Sequence, residues 1–362
     1  MELIRCKRCV MDTSAKEIKF DENGICNFCT DLTSKLNKID GTEFLKWVDQ
    51  IKINSQGIYD CILGISGGVD SCYTALILKD AGINPLLVHI DNGWNTKISI
   101  ENVKKVSCYL NLDLEIVKLD LDEFKEIQVA FLKSNILDVE IPTDLAIPAI
   151  LHKIAKDKGV KSIVSGGNYY SEGILPLSWG YHVKKDMYLY RKIVKRFAKS
   201  NFKIVNTPTF SLFDEIYYKL FKKIKTYYPL NMMTYNSTHA KKILKLYVDW
   251  ENYGGKHQES TYTKIIQNYY IPVRWGIDLR KATYSSLICS NQLKREESLG
   301  LLNSKVYTSD SLDSELIIIS QKLNLNNDFF VNKVKEKGLF YFDFPNNRII
   351  INFGSLWNTV GN

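Results

Sequence analysis

A chain of 362 residues that is 45% hydrophobic and 24% charged belongs among ordinary folded proteins and is long enough for two domains or one large one. No run approaches 18 consecutive apolar residues, which excludes a transmembrane helix, and Met1 to Cys6 lacks the apolar region of a signal peptide, so a cytoplasmic protein is expected. The net charge of +8 is a local feature: from Tyr181 to Lys225 twelve Lys or Arg stand against three Asp or Glu, a local +9, which leaves about −1 for the remainder.

The first element in the chain is a pattern of cysteines. Cys6, Cys9, Cys26 and Cys29 form C-x2-C-x16-C-x2-C, with Gly24 just before the second pair. Paired C-x-x-C units at this spacing match a tetrahedral zinc site with four thiolate ligands and no open position, which predicts a structural Zn²⁺ rather than a catalytic one. Cys61, Cys72, Cys108 and Cys289 are scattered. Beyond the knuckle the pattern predicts a helix over Thr42 to Ile53 and then an alternation. Strands are expected at Asp60–Ile65, Pro85–Asp91, Leu114–Leu119 and Ser162–Ser165. Helices are expected from Cys72 to Asp80 and over Thr96–Leu110, Leu121–Ser134 and Thr143–Lys158. Strands that alternate with helices predict an α/β fold whose parallel sheet is covered by helices on both faces, with ligands bound beyond the carboxyl ends of the strands. From Tyr181 the chain turns basic, aromatic and mainly helical, with small helices over 310–336 and a hairpin expected at Leu339–Phe353. The predicted division is 1–50 for the zinc segment, 51–180 for the α/β domain and 181–362 for a substrate- or partner-binding region.

The first expected strand breaks into Ser66-Gly67-Gly68-Val69-Asp70-Ser71 just after Gly64. Glycines at a strand-to-helix turn let backbone N–H groups close around an anion, and the helix N-terminus adds its positive dipole end. Ser66 and Ser71 add hydroxyl donors. Asp70 would repel a phosphate unless a cation lies between them, which points to Mg²⁺. No lysine follows the glycines, so this is not the G-x-x-x-x-G-K-[ST] loop. Two further strand ends converge on it. One carries His89 and Asp91, whose backbone and carboxylate suit adenine and ribose. The other carries Gly166-Gly167-Asn168 with Glu172 four residues on, and Glu172 joins Asp70 as an expected Mg²⁺ ligand. Taken singly, an acidic residue after a strand is as readily a cap, and Gly-Gly a tight turn. The basic stretch, with Lys195, Arg196 and Lys199 among Tyr188, Tyr190 and Phe197, suits nucleic acid, an anionic membrane surface or an acidic protein, and equally a solvated helix.

The six-residue loop resembles the pyrophosphate (PP) loop of the ATP pyrophosphatases, which cleave ATP between the α and β phosphates and adenylate an oxygen of their substrate. Together with the cysteine pairs, V-H-I-D-N-G-W from Val88, S-G-G-N from Ser165, G-G-K-H-x-E-S from Gly254 and G-I-D-x-R-K from Gly276, it resembles the N-acetyl sugar amidotransferases of bacterial O-antigen (lipopolysaccharide) and pseudaminic-type sugar biosynthesis. The resemblance covers roughly residues 1–300. It implies an adenine-nucleotide alpha-hydrolase-like fold and an AMP-forming C–N ligase using ATP, Mg²⁺ and structural Zn²⁺. The implied reaction converts the acetamido group of a free or nucleotide-linked sugar into acetamidino, with ammonia from separate glutaminase and cyclase-like subunits. It implies pyrophosphate contacts from Gly64, Ser66, Gly67, Gly68, Val69, Asp70 and Ser71. Lys256 would act on the transferring phosphate and His257 as proton acceptor, with Glu259, Arg280 and Lys281 as substrate or phosphate contacts. No nucleic acid is expected on this reading. The alternative is a PP-loop tRNA-modifying enzyme that grips RNA with the knuckle and the basic segment. Its thiolating branch needs sulfur-carrying cysteines, and the four outside the knuckle are expected in a strand, in helices, or alone.

Overall fold

The computed structural model describes residues 3–55, 57–180, 184–304 and 306–348. Its first elements are helices α1 (Asn27–Leu36) and α2 (Thr42–Asn54), followed by β1 (Cys61–Gly64), α3 (Val69–Asp80), β2 (Pro85–Asp91), α4 (Lys97–Leu110), β3 (Leu114–Lys118), α5 (Leu121–Ser134), α6 (Ile141–Asp157) and β4 (Ser162–Val164). A short helix α7 (Tyr169–Glu172) and then α8 (Met187–Phe197) lead to β5 (Lys225–Tyr227), and the remainder is helical through Phe329–Lys333.

The five strands form one sheet in the order β3-β2-β1-β4-β5, and every pairing is parallel. Each central strand buries both faces because successive side chains point to opposite sides. Cys61 and Leu63 of β1 pack with α2, α3, α4 and the helix Ser237–Val248, whereas Ile62 packs with α5 and α6. This arrangement explains why the strands read as unbroken apolar runs. The strand order turns back between β1 and β4, the switch point at which open parallel sheets form a ligand crevice beyond the carboxyl ends of their strands.

Strand β5 comes from beyond residue 181, at the end of the basic stretch, where no strand is expected. Its three residues pair Lys225, Thr226 and Tyr227 with Ser162, Ile163 and Val164. The region after 181 therefore completes the sheet as well as covering it. The basic stretch is also partly neutralised where it folds. Lys184 pairs with Asp138 and Asp144, Lys185 with Glu215, and Lys199 with Glu126. Helix α8 buries Leu189, Tyr190, Ile193 and Val194 and turns Lys192, Lys195 and Arg196 outward. Where a hairpin is expected, Leu339 makes a parallel bridge to Ile136 and a 3₁₀ turn follows at Tyr341–Asp343. The second limb of that hairpin, 349–353, lies outside the described residues. Among the described residues no helix is long and apolar enough to cross a membrane.

Candidate functional site

The loop after β1 is held open by its glycines and closed by its serines. Gly67 has φ +84°, and a Cβ there would lie 2.1 Å from the Ser99 carbonyl oxygen. Its own carbonyl accepts from Trp250 Nε1 at 3.0 Å and Asn102 Nδ2 at 3.3 Å. Ser66 N–H donates to Ser71 Oγ at 3.2 Å, and Gly68 N–H donates to Ser66 Oγ at 3.2 Å. Helix α3 begins at Val69, so its N-terminal dipole opens onto this loop. Gly64, at the end of β1, leaves room for Leu151, which would lie 3.1 Å from a Cβ. From the other side of the crevice, Gly166 approaches so closely that a Cβ would meet Ser71 N at 2.7 Å. Replacing Gly67 by Ala is expected to cost about 1–3 kcal/mol in backbone strain alone. Denaturant unfolding checks this, and a wild-type stability would refute the packing argument.

Four side chains expected to act at the site do meet. Lys256 Nζ lies 2.9 Å from Asp70 Oδ2, 3.0 Å from Glu172 Oε1 and 2.5 Å from Ser171 Oγ. His257 Nε2 stands 3.6 Å from the same Glu172 oxygen. The turn that presents them is strained in the way a Gly-Gly pair permits, with Gly254 at φ +110° and His257 at φ +60°. Burial by itself would raise the Asp70 carboxyl. The Lys256 charge and hydrogen bonds from Lys256 and Tyr235 outweigh it and hold the group below the usual carboxylate range. Burial likewise opposes the Lys256 charge, but Asp70 and Glu172 together hold the ammonium above the usual lysine range. Asn168 caps α7 through Ser171 N–H at 3.0 Å, and Gly167 N–H donates to Ser165 Oγ at 3.2 Å.

Glu259 faces the loop itself, its Oε1 being 3.6 Å from the position of a Gly68 Cβ. The segment that carries it is tied to the end of β2: Asn95 bridges Ser260, Thr96 N–H donates to the Glu259 carbonyl at 2.9 Å, and Thr261 N–H donates to the Trp94 carbonyl at 2.9 Å. His89 is 2% exposed and stitches two strand ends together, Nδ1 donating to the Ile65 carbonyl at 2.8 Å and Nε2 accepting from Asn95 at 3.1 Å. Asp91 accepts from Gly93 N–H at 2.9 Å and so shapes the turn after β2.

Arg280 and Lys281 are placed elsewhere. Arg280 forms a fork on Asp278 and donates to the carbonyls of Leu301, Leu302 and Ser304, which fastens one helix to the next. Lys281 reaches Asp12, a fully buried carboxylate of the cysteine knuckle, at 2.6 Å. Both charges are used up in packing, so neither serves the loop. Tyr235, whose hydroxyl donates to Asp70 Oδ1 at 2.5 Å, is absent from the sequence reading, as are Tyr253 beside Gly68 and Ser171 on Lys256. Tyr235 lies 165 residues from Asp70 and carries no motif.

The four knuckle cysteines are buried, with their sulfur atoms all within 4.8 Å of one another. Cys6 Sγ to Cys29 Sγ is 4.0 Å and Cys9 Sγ to Cys26 Sγ is 3.7 Å. Thiolates on one tetrahedral ion at ~2.3 Å would stand about 3.8 Å apart, so the donor set fits a single metal ion. Backbone N–H groups of Arg8, Met11 and Cys26 point at the sulfurs at 3.2 to 3.4 Å. Cys289, alone in sequence, reaches Cys29 from the helix Arg280–Cys289.

Comparison with known proteins adds a family at the C-terminal end. Residues 259–358 match the family described as LPS biosynthesis protein WbpG-like, C-terminal domain. Over 128 residues the chain is 33% identical to an uncharacterised protein of Methanocaldococcus jannaschii, covering 34% of this chain and 46% of that one. Over 63 residues it is 38% identical to a glutamine-hydrolysing GMP synthase of Blochmanniella pennsylvanica, covering 17% of this chain and 12% of the relative. The matches thus span less than half the length of these curated relatives. Among solved structures, the U34-tRNA thiolase NcsA of Methanococcus maripaludis, described with its 4Fe-4S cluster, aligns over 86% of this chain and 96% of its own at 14% identity and a TM-score of 0.36.

Proposed function

We propose that this chain is an ATP pyrophosphatase-type amidotransferase that converts the acetamido group of an N-acetylated sugar, free or nucleotide-linked, into acetamidino during bacterial surface-polysaccharide synthesis. The observation that carries this reading is the folding of Gly254–Glu259 onto the Ser66–Ser71 loop, which brings a cation, Lys256, between Asp70 and Glu172 beside a helix N-terminus. The WbpG-like match begins at Glu259, inside that same segment, and supports the choice of pathway.

An amide carbonyl is a poor electrophile, and transfer of AMP to its oxygen remedies this. The carbonyl oxygen attacks the α phosphorus, the bond to the bridging oxygen of the β phosphate breaks, and pyrophosphate leaves, giving an O-adenylyl imidate with loss of the amide proton. Ammonia then adds to the imidate carbon, a proton is taken up, and AMP departs to leave the amidine. The Gly67 N–H and the N-terminus of α3 hold the leaving pyrophosphate, Ser66 and Ser71 orient it, and Lys256 balances charge that develops on the phosphoryl oxygens. His257, beside Glu172, is placed to accept the ammonia proton. Mg²⁺ would neutralise the triphosphate. Zn²⁺ in the knuckle would be structural, and ammonia would arrive from separate glutaminase and cyclase-like subunits.

The chain incubated with ATP, Mg²⁺, ammonium and a panel of N-acetyl sugars is expected to yield AMP, pyrophosphate and a product about one mass unit lighter, as O is replaced by NH. A panel without any such mass change, while the same protein releases pyrophosphate with a transfer RNA, would replace this reading with the tRNA-modifying one. The ion pairs of Lys184, Lys185 and Lys199 already subtract from the basic surface which that alternative needs.

A further inference from the structure

Three carboxylates surround the Ser66–Ser71 loop, and only two of them are compensated. Asp70 holds Lys256 at 2.9 Å and the Tyr235 hydroxyl at 2.5 Å. Glu172 holds the same lysine at 3.0 Å and faces His257. Glu259 differs: its Oε2 is buried and has no hydrogen-bond partner, and among the described residues no lysine, arginine or histidine forms an ion pair with it. Its neighbour Tyr253 cannot supply positive charge. Burial and the Glu259 charge push that phenol above its usual range, so it stays a neutral hydroxyl.

The position of this orphaned oxygen is not accidental slack. The Glu259 carbonyl is fixed by Thr96 N–H at 2.9 Å and Ser99 Oγ at 3.3 Å, the same Ser99 whose carbonyl crowds Gly67. The anion-binding loop and the backbone that carries the free carboxylate are therefore built on one anchor, with Glu259 Oε1 3.6 Å from the position of a Gly68 Cβ. A carboxylate fixed beside a polyphosphate site repels its ligand unless a cation bridges them, and a hard divalent ion that keeps phosphate, water and one or two carboxylate oxygens around it meets that need.

We infer that Glu259, rather than the lysine-bound Asp70, is the protein's ligand for the divalent cation that enters with the triphosphate. The inference rests on the reading of the loop as a nucleotide site. It reassigns the expected metal role: Asp70 and Tyr235 position Lys256, and Glu259 receives the metal.

The test uses the full chain, Mn²⁺ as a spectroscopically visible cation and an ATP analogue with a methylene group between the α and β phosphorus atoms, so that no chemistry occurs. Wild-type protein is expected to bind Mn²⁺ tightly only with the analogue present, and Glu259→Gln to weaken Mn²⁺ in that complex at least about tenfold. Glu259→Gln should hold the analogue at least as tightly as wild type without metal, because the repulsion is gone, and its melting temperature should not fall, since the changed oxygen has no partner to lose. Glu259→Asp, which keeps the charge on a shorter stem, should retain part of the Mn²⁺ affinity. Equal Mn²⁺ affinity in wild type and Glu259→Gln overturns the inference and leaves the nucleotide site standing. So does metal-free pyrophosphate binding that tightens in Glu259→Gln while the Mn²⁺ complex is unchanged, because Glu259 would then be only a placeholder for the phosphate. Failure of the wild type to bind the analogue with or without Mn²⁺ would instead remove the nucleotide site itself, and the inference with it.

Discussion

Lys256→Met is expected to lower pyrophosphate release by about two to three orders of magnitude and to destabilise the fold by about 3–5 kcal/mol. Both effects come from one geometry. The ammonium is the cation shared by Asp70 and Glu172, with Lys256 and Asp70 side chains each 19% exposed. Without it, two carboxylates confront each other beside a loop built for anions, and the one partly buried with Tyr235 loses its counter-charge. In the wild type the Asp70 carboxyl is depressed, so its contribution is present above the unfolded value near 4 and is lost as pH falls through the lower folded value. The Lys256 ammonium is raised, so its contribution is complete below about 10.4 and disappears as pH rises through the higher folded value. The pair is therefore intact across the whole neutral range. In Lys256→Met the Asp70 preference reverses, because burial is no longer offset by the ammonium, and stability should fall as pH rises above the unfolded carboxylate value near 4. Urea midpoints at several pH values, read beside a pyrophosphate-release assay, measure both. A variant with near-wild-type release would remove Lys256 from the chemistry, and a flat stability profile would remove it from the electrostatic account.

The half of this site that sequence shows is the half made of short motifs. Ser66–Ser71 and Gly166–Asn168 are legible because backbone close to a phosphate demands glycine, and Lys256–Glu259 because charge is packed densely behind a Gly-Gly pair. The same holds for strands β1, β2 and β4, which are buried on both faces and spell out apolar runs. Strand β5 escapes because its three residues include an exposed Lys225 and pair on one side only. Tyr235 and Tyr253 escape because they reach the loop from more than 160 residues away and look like ordinary core aromatics. Arg280 and Lys281 suggest phosphate contacts by their type alone. What they touch instead, Asp278 with three carbonyls and the buried Asp12, depends on a fold in which the first knuckle residues and the helix after residue 279 share a core.

That shared core makes removal of a metal held by the four cysteines the second large expected effect. The four cysteines are fully buried and belong to the same cluster as Ile265, Tyr270, Leu316 and Phe330. Arg295 donates to the carbonyls of Cys6 and Cys9 at 3.2 Å, Val10 N–H donates to Ser285 Oγ at 3.3 Å, and Lys281 sits on Asp12. A structural zinc contributes about 10–16 kcal/mol to small finger peptides at neutral pH. Here the same loss would also strand the Lys281–Asp12 pair and open the floor of the C-terminal helices. Purified protein is expected to hold one zinc per chain and to be colourless. Chelation is expected to lower its melting temperature by more than about 10 °C, together with its ability to release pyrophosphate. Cys26→Ser should reproduce the drop, whereas Cys108→Ser, at an exposed position outside the knuckle, should not. Because thiolates must lose protons to bind, the metal-dependent part of stability should fade as pH drops. A strong visible absorption would replace zinc by an iron–sulfur centre. An unchanged melting temperature after verified metal removal would mean that the knuckle holds together through Lys281, Arg295 and its buried apolar contacts alone.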